Sequence, residues 1–280
     1  MSDTAPPLLA LEDLTYGFPG RPNFLKPVRA KMNAGEFWGV VGPNGAGKST
    51  VLRLAAGLRK PTSGRVRLRG TALDSMSPIA RARSIAFLPQ SPSNDLPLPV
   101  SEIVLMGRFP HRRFGMFEDS GDRSIARDAM IATDTLPFAE RSLSTLSGGE
   151  AQRVHIAAAL AQQPGVMLLD EPTASLDWRH QLAIFELLRT LSTRDGLLVV
   201  TVTHDLNLAA RFCTHVILLD DGRCAAMGPP AEVLRPDVLE PVYRVRLKVA
   251  STDEEGSGSC LVPFRVDAGQ GDNAVGGARS

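Results

Sequence analysis

Nine consecutive residues, Gly42-Pro43-Asn44-Gly45-Ala46-Gly47-Lys48-Ser49-Thr50, combine types and spacing that suit one chemistry. An apolar run at 37–41 reads as a buried strand before them, and 51–56 reads as a helix after them. In that setting G-x-x-x-x-G-K-[ST] is a phosphate-binding loop. Its glycines let backbone N–H groups converge where a side chain would block an anion. The following helix N-terminus adds unpaired donors and partial positive charge. Lys48 is long enough to reach the β- and γ-phosphates of a nucleoside triphosphate, and the Ser49 hydroxyl suits its Mg²⁺.

Other chemistry-bearing residues follow strands. Asp170 closes the apolar run Val166-Met167-Leu168-Leu169, at the carboxyl end of a strand where open α/β sheets hold ligands. A carboxylate there suits Mg²⁺. Glu171 comes next; on a continuing strand it points the other way, free to act as general base toward water. Gln90 and His204 each follow a strand of the same expected sheet. Alone they are a solvent-facing amide and a structural imidazole; together at strand ends beside a phosphate loop they join the candidate site. Ser147-Gly148-Gly149-Glu150 opens a periodic helix. Ser-x-x-Glu is a capping box, but capping needs no glycine pair, and two glycines again bare backbone donors to an anion. Two such helix starts suggest a nucleotide held from two sides.

The elements that position these residues alternate. Strands are expected at 8–16, 37–41, 65–69, 84–88, 166–169, 197–203 and 216–219, with 21–34 as a connection. No strand pattern appears between 90 and 163. Helices there, the first capped by Ser101 and running to Gly107, the second at 122–133, read as a helical insertion in an α/β chain. A long helix fits 177–193, another 206–212, and Asp221-Gly222 is a hairpin turn into 223–227. Short helices fit 229–234 and 236–243, and 245–249 can pair with 261–266. The core is therefore expected at 8–90 and 164–245 and the helical part at about 91–163. A terminal loop and hairpin strand follow at 250–266, then a disordered tail at 267–280, rich in Gly, Ala, Asn, Asp and Ser.

Composition narrows the function classes. A formal charge of +1 gives no reason to expect nucleic acid. No apolar run approaches the roughly 18 residues that span a bilayer, and the first seven residues lack the pattern of a signal peptide. Cys213, Cys224 and Cys260 have no metal spacing and read as reduced, cytosolic thiols. Residues 58–83 carry many arginines but no aromatic residue to stack bases, which favours a solvated face or one turned toward anionic headgroups.

Leu146-Ser147-Gly148-Gly149-Glu150-Ala151-Gln152-Arg153 resembles the signature loop of ABC-type ATPases. The order of the other motifs is similar to that family over residues 8–245: Tyr16 at the adenine-stacking position, Gly42 to Ser49 as Walker A, Gln90 as the Q-loop. Asp170 and Glu171 then match Walker B and the catalytic acid, Ser175-Leu176-Asp177 the D-loop, and His204 the switch histidine. The resemblance implies a P-loop NTPase core of mixed sheet and helices, an inserted helical subdomain and a small N-terminal antiparallel β subdomain. It implies ATP and Mg²⁺. Tyr16 and residues 42–50 would hold nucleotide, Ser49, Gln90 and Asp170 the metal, and Lys48, Gln90, Glu171 and His204 would serve catalysis. Ser147, Gly148, Gly149, Glu150 and Asp177 would close the site from a second copy, making a homodimer.

Gly107-Arg108-Phe109-Pro110-His111 is similar to importer ATPases for iron-siderophore, haem and cobalamin. That likeness implies permease partners, an extracytoplasmic substrate-binding protein acting indirectly, and a peripheral place on the cytoplasmic face of the inner membrane. Arg108, His111, Arg112 and Arg113 then read as a basic loop near headgroups rather than a cargo site, and Phe109, Phe114 and Phe117 as candidates to seat a permease helix. Rival readings are a soluble ABC ATPase of the cluster-assembly type, an ABC ATPase serving another cargo, and a P-loop kinase, which would lack the Ser-Gly-Gly signature.

Overall fold

The computed structural model describes residues 6–94, 96–112, 120–174, 176–251 and 259–266. The expected disordered tail at 267–280, and Arg113, Phe114, Phe117 and Ser175, lie outside the described residues.

β1 (Leu9–Phe18) buries Leu9, Leu11 and Leu14. β2 (Arg21–Met32) pairs with it antiparallel, Leu9 opposite Met32. This corrects the expectation of a connection at 21–34. Val28, Ala30 and Met32 point inward while Arg29 and Lys31 stay out, but Pro22, Pro27 and the basic outward face mask the period. Proline is tolerated because β2 is an edge strand.

β3 (Phe37–Val41) is buried throughout and leads through the phosphate loop into α1 (Lys48–Ala55). β4 (Ser63–Leu68) and β5 (Thr71–Ala72) complete a four-stranded antiparallel sheet ordered β2-β1-β4-β5. α2 (Pro78–Ser84) was not anticipated; Ser77 caps it by accepting from the Ala80 N–H. β6 (Ile85–Leu88) ends just before Gln90.

The insertion holds α3 (Val100–Met106), α4 (Ser120–Ala132) and α5 (Gly148–Ala161). Ser101 does not cap α3. The helix starts two residues earlier than that cap would have it, after Pro99, which has no side-chain cap to offer, and its first amides bond the 139–141 backbone and Pro99 instead. Val100, Val104, Met130, Leu143, Val154 and Ala157 form a hydrophobic core within these helices.

β7 (Val166–Asp170), α6 (Trp178–Asp195), β8 (Leu198–Val202), α7 (Leu206–Phe212), β9 (His215–Asp220) and β10 (Arg223–Gly228) return to the main sheet. Its order is β10-β9-β3-β8-β7-β6; only β10 is antiparallel, joined to β9 by Asp221-Gly222 with both φ positive. One face packs on the antiparallel sheet and α1, the other on α6 and α7. α8 (Pro230–Val233), α9 (Pro236–Tyr243) and the hairpin β11 (Val245–Ser251)–β12 (Ser259–Val266) finish the chain. No described helix is long and apolar enough to cross a membrane. β3, β6, β7 and β8 run parallel, so their carboxyl ends, and the residues that follow them, share one edge.

Candidate active site

The phosphate loop is shaped by close backbone approach. Gly42 has φ 143, and a Cβ there would lie 2.1 Å from the Leu219 carbonyl of β9. Gly47, at φ 102, precedes α1 and carries no side chain to cap its first amides. Asn44 and Gly45 are exposed, Ala46 is buried, and Ser49 and Thr50 lie half-buried in the first turn. Lys48 is only 5% exposed. Its Nζ donates to the Gly42 carbonyl at 2.8 Å and the Pro43 carbonyl at 2.9 Å, which folds the loop around the ammonium. Burial pulls Lys48 below the usual lysine range, and Glu171 and Asp170 oppose that pull.

Asp170, on β7, is fully buried. The Ser49 hydroxyl donates to its Oδ1 at 2.7 Å. Its Oδ2 has no hydrogen-bond partner; the Arg53 guanidinium stands 3.8 Å away. Desolvation pushes the Asp170 carboxyl up, against the Ser49 hydrogen bond and Arg53. A buried, under-satisfied carboxylate oxygen beside a hydroxyl is a donor set that a hard cation takes. These residues fit Mg²⁺. Among the described residues no cluster of three His, Cys, Asp or Glu forms an all-protein cage; Mg²⁺ shared with phosphates needs none.

β7 ends at Asp170, so Glu171 does not continue the strand: its φ is +52, in the left-handed region. A non-glycine residue held there is characteristic of a constrained site. The turn carries its carboxylate toward two other strand ends. Gln90 Nε2 donates to Oε2 at 2.7 Å, and His204 Nε2 lies 2.7 Å from Oε1. An ionised carboxylate only accepts, so the His204 proton sits on Nε2 in that state. Gln90, Glu171 and His204, from three strands, therefore meet as one group, with the Ser49–Asp170 pair beside it.

Tyr16 lies near the end of β1, edge-on to Phe18 with centroids 4.9 Å apart, and Phe18 meets Phe24 at 5.1 Å. Phe24 is about 3.4 Å from where a Gly47 Cβ would sit. The aromatic row thus runs from the phosphate loop outward. Gly222 is a residue that the sequence showed only as a hairpin turn. Its N–H donates to the Ala46 carbonyl at 3.1 Å and its carbonyl accepts from Lys26 at 2.8 Å, bracing the loop against β2.

The family described as "ABC transporter" matches residues 25–174. The chain belongs to the ABC transporter family. It is 43% identical over 234 residues to the cobalamin import ATP-binding protein of Halobacterium salinarum, covering 83% of this chain but 58% of that one. The chain thus spans a little over half of that relative's length. It is 42% identical to the hemin import ATP-binding protein of Pseudomonas entomophila, covering 85% of this chain and 93% of that one. Among solved structures it resembles one described as an ABC transporter of metal-chelate type in an inward-facing conformation. There the TM-score is 0.81 at 29% identity, over 92% and 97% of the two chains. A dimeric bacterial ABC transporter cassette matches at TM-score 0.70 and 33% identity, over 79% and 98%.

In this ABC chain the signature turn stands apart from the phosphate loop. Ser147 caps α5, and Glu150 reaches back to the Ser147 N–H and hydroxyl, both at 2.8 Å. Those bonds, backbone first, hold the Glu150 carboxyl below its usual range. The capping box is complete within the chain. No described hydrogen bond joins 147–150 to 42–50. A Cβ at Gly148 would meet no atom within 4 Å, whereas one at Gly149 would sit 3.5 Å from the His180 ring. Intrachain packing therefore does not require glycine at 148. Asp177 caps α6, its Oδ1 accepting from the His180 N–H at 2.9 Å and lying 2.8 Å from the His180 Nδ1.

Proposed function

We propose that this chain is the ATP-hydrolysing subunit of an ABC importer. The observation that carries the reading is the single carboxylate Glu171, held by Gln90 and His204 beside a phosphate loop. Residues 42–50 bind the triphosphate through backbone N–H groups and Lys48, and Tyr16 stacks the adenine. Ser49 and Asp170, with Gln90, would hold Mg²⁺, which when bound would supply charge neutralisation to the triphosphate. Glu171 accepts the proton of the attacking water. His204 orients that carboxylate and carries the Nε2 proton toward it. Gln90 links the same carboxylate to the start of the helical part, so the site answers to how 91–163 sits on the core.

One copy leaves Gly148 facing open space. A second copy closes the site with Ser147, Gly148, Gly149, Glu150 and Asp177, which makes the working form a homodimer. Permease subunits dock on the helical part, where Met106 and Phe109 are exposed apolar side chains, and a substrate-binding protein acts from outside. The subunit is peripheral, on the cytoplasmic face of the inner membrane. The cargo class is a large metal chelate, supported by relatives whose names specify cobalamin and hemin.

Glu171→Gln is the test, with phosphate release and ATP affinity measured together. Turnover should fall about 10²- to 10⁴-fold, the usual contribution of a general base, with binding kept. Wild-type turnover in Glu171→Gln would remove Glu171 from the base role.

A further inference from the structure

The aromatic row that leads out from the phosphate loop does not end at Tyr16. The Arg59 guanidinium donates to the Tyr16 hydroxyl at 2.6 Å. Its carbon lies 5.4 Å from the Tyr16 ring centroid and 5.4 Å from that of Phe18. Among the described residues Arg59 makes no ion pair, although surface arginines commonly take a carboxylate. Here the cation is committed to two rings and a phenol. We propose that Arg59 is a positioning residue for the nucleobase: it acts through Tyr16, setting the ring on which the base stacks. The inference rests on the ATP-binding reading and deepens it.

Two observations show why the ring needs such a brace. First, the β1–β2 pairing is irregular on both sides of Tyr16, with register shifts between Leu14 and Tyr16 and again between Tyr16 and Phe18. The strand ladder therefore does not fix the ring by itself. The Phe18 edge, at 85° to the Tyr16 plane, and Arg59 supply the rest. Second, Arg59 is tied to the phosphate end. Its N–H donates to the Arg53 carbonyl of α1 at 3.2 Å, and α1 is the helix that opens at Lys48. Eight residues of helix are about 12 Å long. The bond from Arg59 to Tyr16 thus joins the far end of the phosphate helix to the base shelf, setting the span between triphosphate and base. A cation placed against an aromatic ring also strengthens its hold on the ring plane.

Base stacking on an aromatic side chain is worth roughly 5- to 150-fold in affinity. Loosening the ring without deleting it should lose the lower part of that range. The experiment compares the full-length wild type with Arg59→Ala, Arg59→Lys, Tyr16→Phe and the double variant Tyr16→Phe/Arg59→Ala. It measures KM and kcat for ATP, inhibition by inorganic tripolyphosphate, and thermal melting without nucleotide. Arg59→Ala should raise KM for ATP about fivefold with kcat within twofold, and leave tripolyphosphate inhibition unchanged. Tyr16→Phe keeps the ring and both ring contacts of the guanidinium and removes only the acceptor; it should show part of the Arg59→Ala loss, and the double variant should be no worse than Arg59→Ala. Arg59→Lys, still a cation and a donor, should recover part of the loss. The inference is overturned if Arg59→Ala leaves KM unchanged, or if Tyr16→Phe behaves as wild type. It is also overturned if ATP and tripolyphosphate weaken together, since the loop rather than the base would then have moved. Failure of the wild type to hydrolyse ATP would instead sink the nucleotide reading itself.

Discussion

Replacing His204 with Ala removes one of two anchors on the carboxylate of Glu171. The lost contact is 2.7 Å long and to a charged acceptor, a class worth about 1.5–3 kcal/mol. The His204 side chain is 45% exposed, against 12% for Glu171, so water competes and the low end applies. About 1.5 kcal/mol in the transition state is roughly tenfold in kcat. ATP affinity should change less than twofold, because His204 has no described contact with residues 42–50. Gln90→Ala, losing the other 2.7 Å bond together with its place at the metal, should cost at least as much by itself. With either anchor the carboxylate keeps one fixed oxygen; with neither it rotates freely. The double variant should therefore lose more than the product of the two singles and approach the level of Glu171→Gln. The assay is steady-state phosphate release with ATP binding followed separately. Adding His204→Ala to Glu171→Gln decides the matter: if His204 acts through Glu171, the combination is little worse than Glu171→Gln alone. A further full tenfold drop, or wild-type kcat in His204→Ala, would refute the reasoning.

Asp170→Asn tests the buried carboxylate. Its folded-state pKa is raised by desolvation, so the folded chain binds that proton more tightly than the unfolded chain. The charge then costs stability above the folded pKa, and the cost vanishes as pH falls below the ordinary carboxylate value. Without metal or nucleotide, Asp170→Asn should melt higher than the wild type at pH 8 and no higher near pH 4, while losing the stabilisation that Mg²⁺ with ATP gives the wild type; a lower melting temperature at pH 8 would contradict this. Ser147→Arg tests the second copy. Glu171→Gln with ATP should form dimers by light scattering, and adding Ser147→Arg should leave monomers. Trp178, 84% exposed beside Asp177, and Trp38, 4% exposed, are the two tryptophans. Dimer formation should therefore shift emission to the blue, and Trp178→Phe should abolish the shift; dimers that persist with Ser147→Arg would place the interface elsewhere.

Much was legible from residues alone, wherever the contacts that define a feature lie within a few positions of one another. The phosphate loop is nine residues of turn and helix start. The Ser147–Glu150 box spans three positions. The buried runs of β3, β7 and β8 announce themselves because parallel strands covered on both faces are apolar at every position. β2 escaped for the opposite reason: an edge strand with one wet face and two prolines has little period to show. Ser101 misled because a capping residue type one position inside the helix looks the same in sequence as one at its start.

The tertiary structure alone decided which distant residues share a site. Gln90 and Glu171 are separated by 81 positions, and Glu171 and His204 by 33; they meet because their strands are parallel and end at one edge of the sheet. No local signal predicts the left-handed turn that aims Glu171 at them, or the bracing of Ala46 by Gly222. The bond from Arg59 to Tyr16 is of the same kind, crossing 43 positions. Residue type and short spacing determine what chemistry the chain carries, because backbone geometry over a few residues is a local matter. Which groups act on one another depends on strand order and register, which are set by burying every apolar face at once.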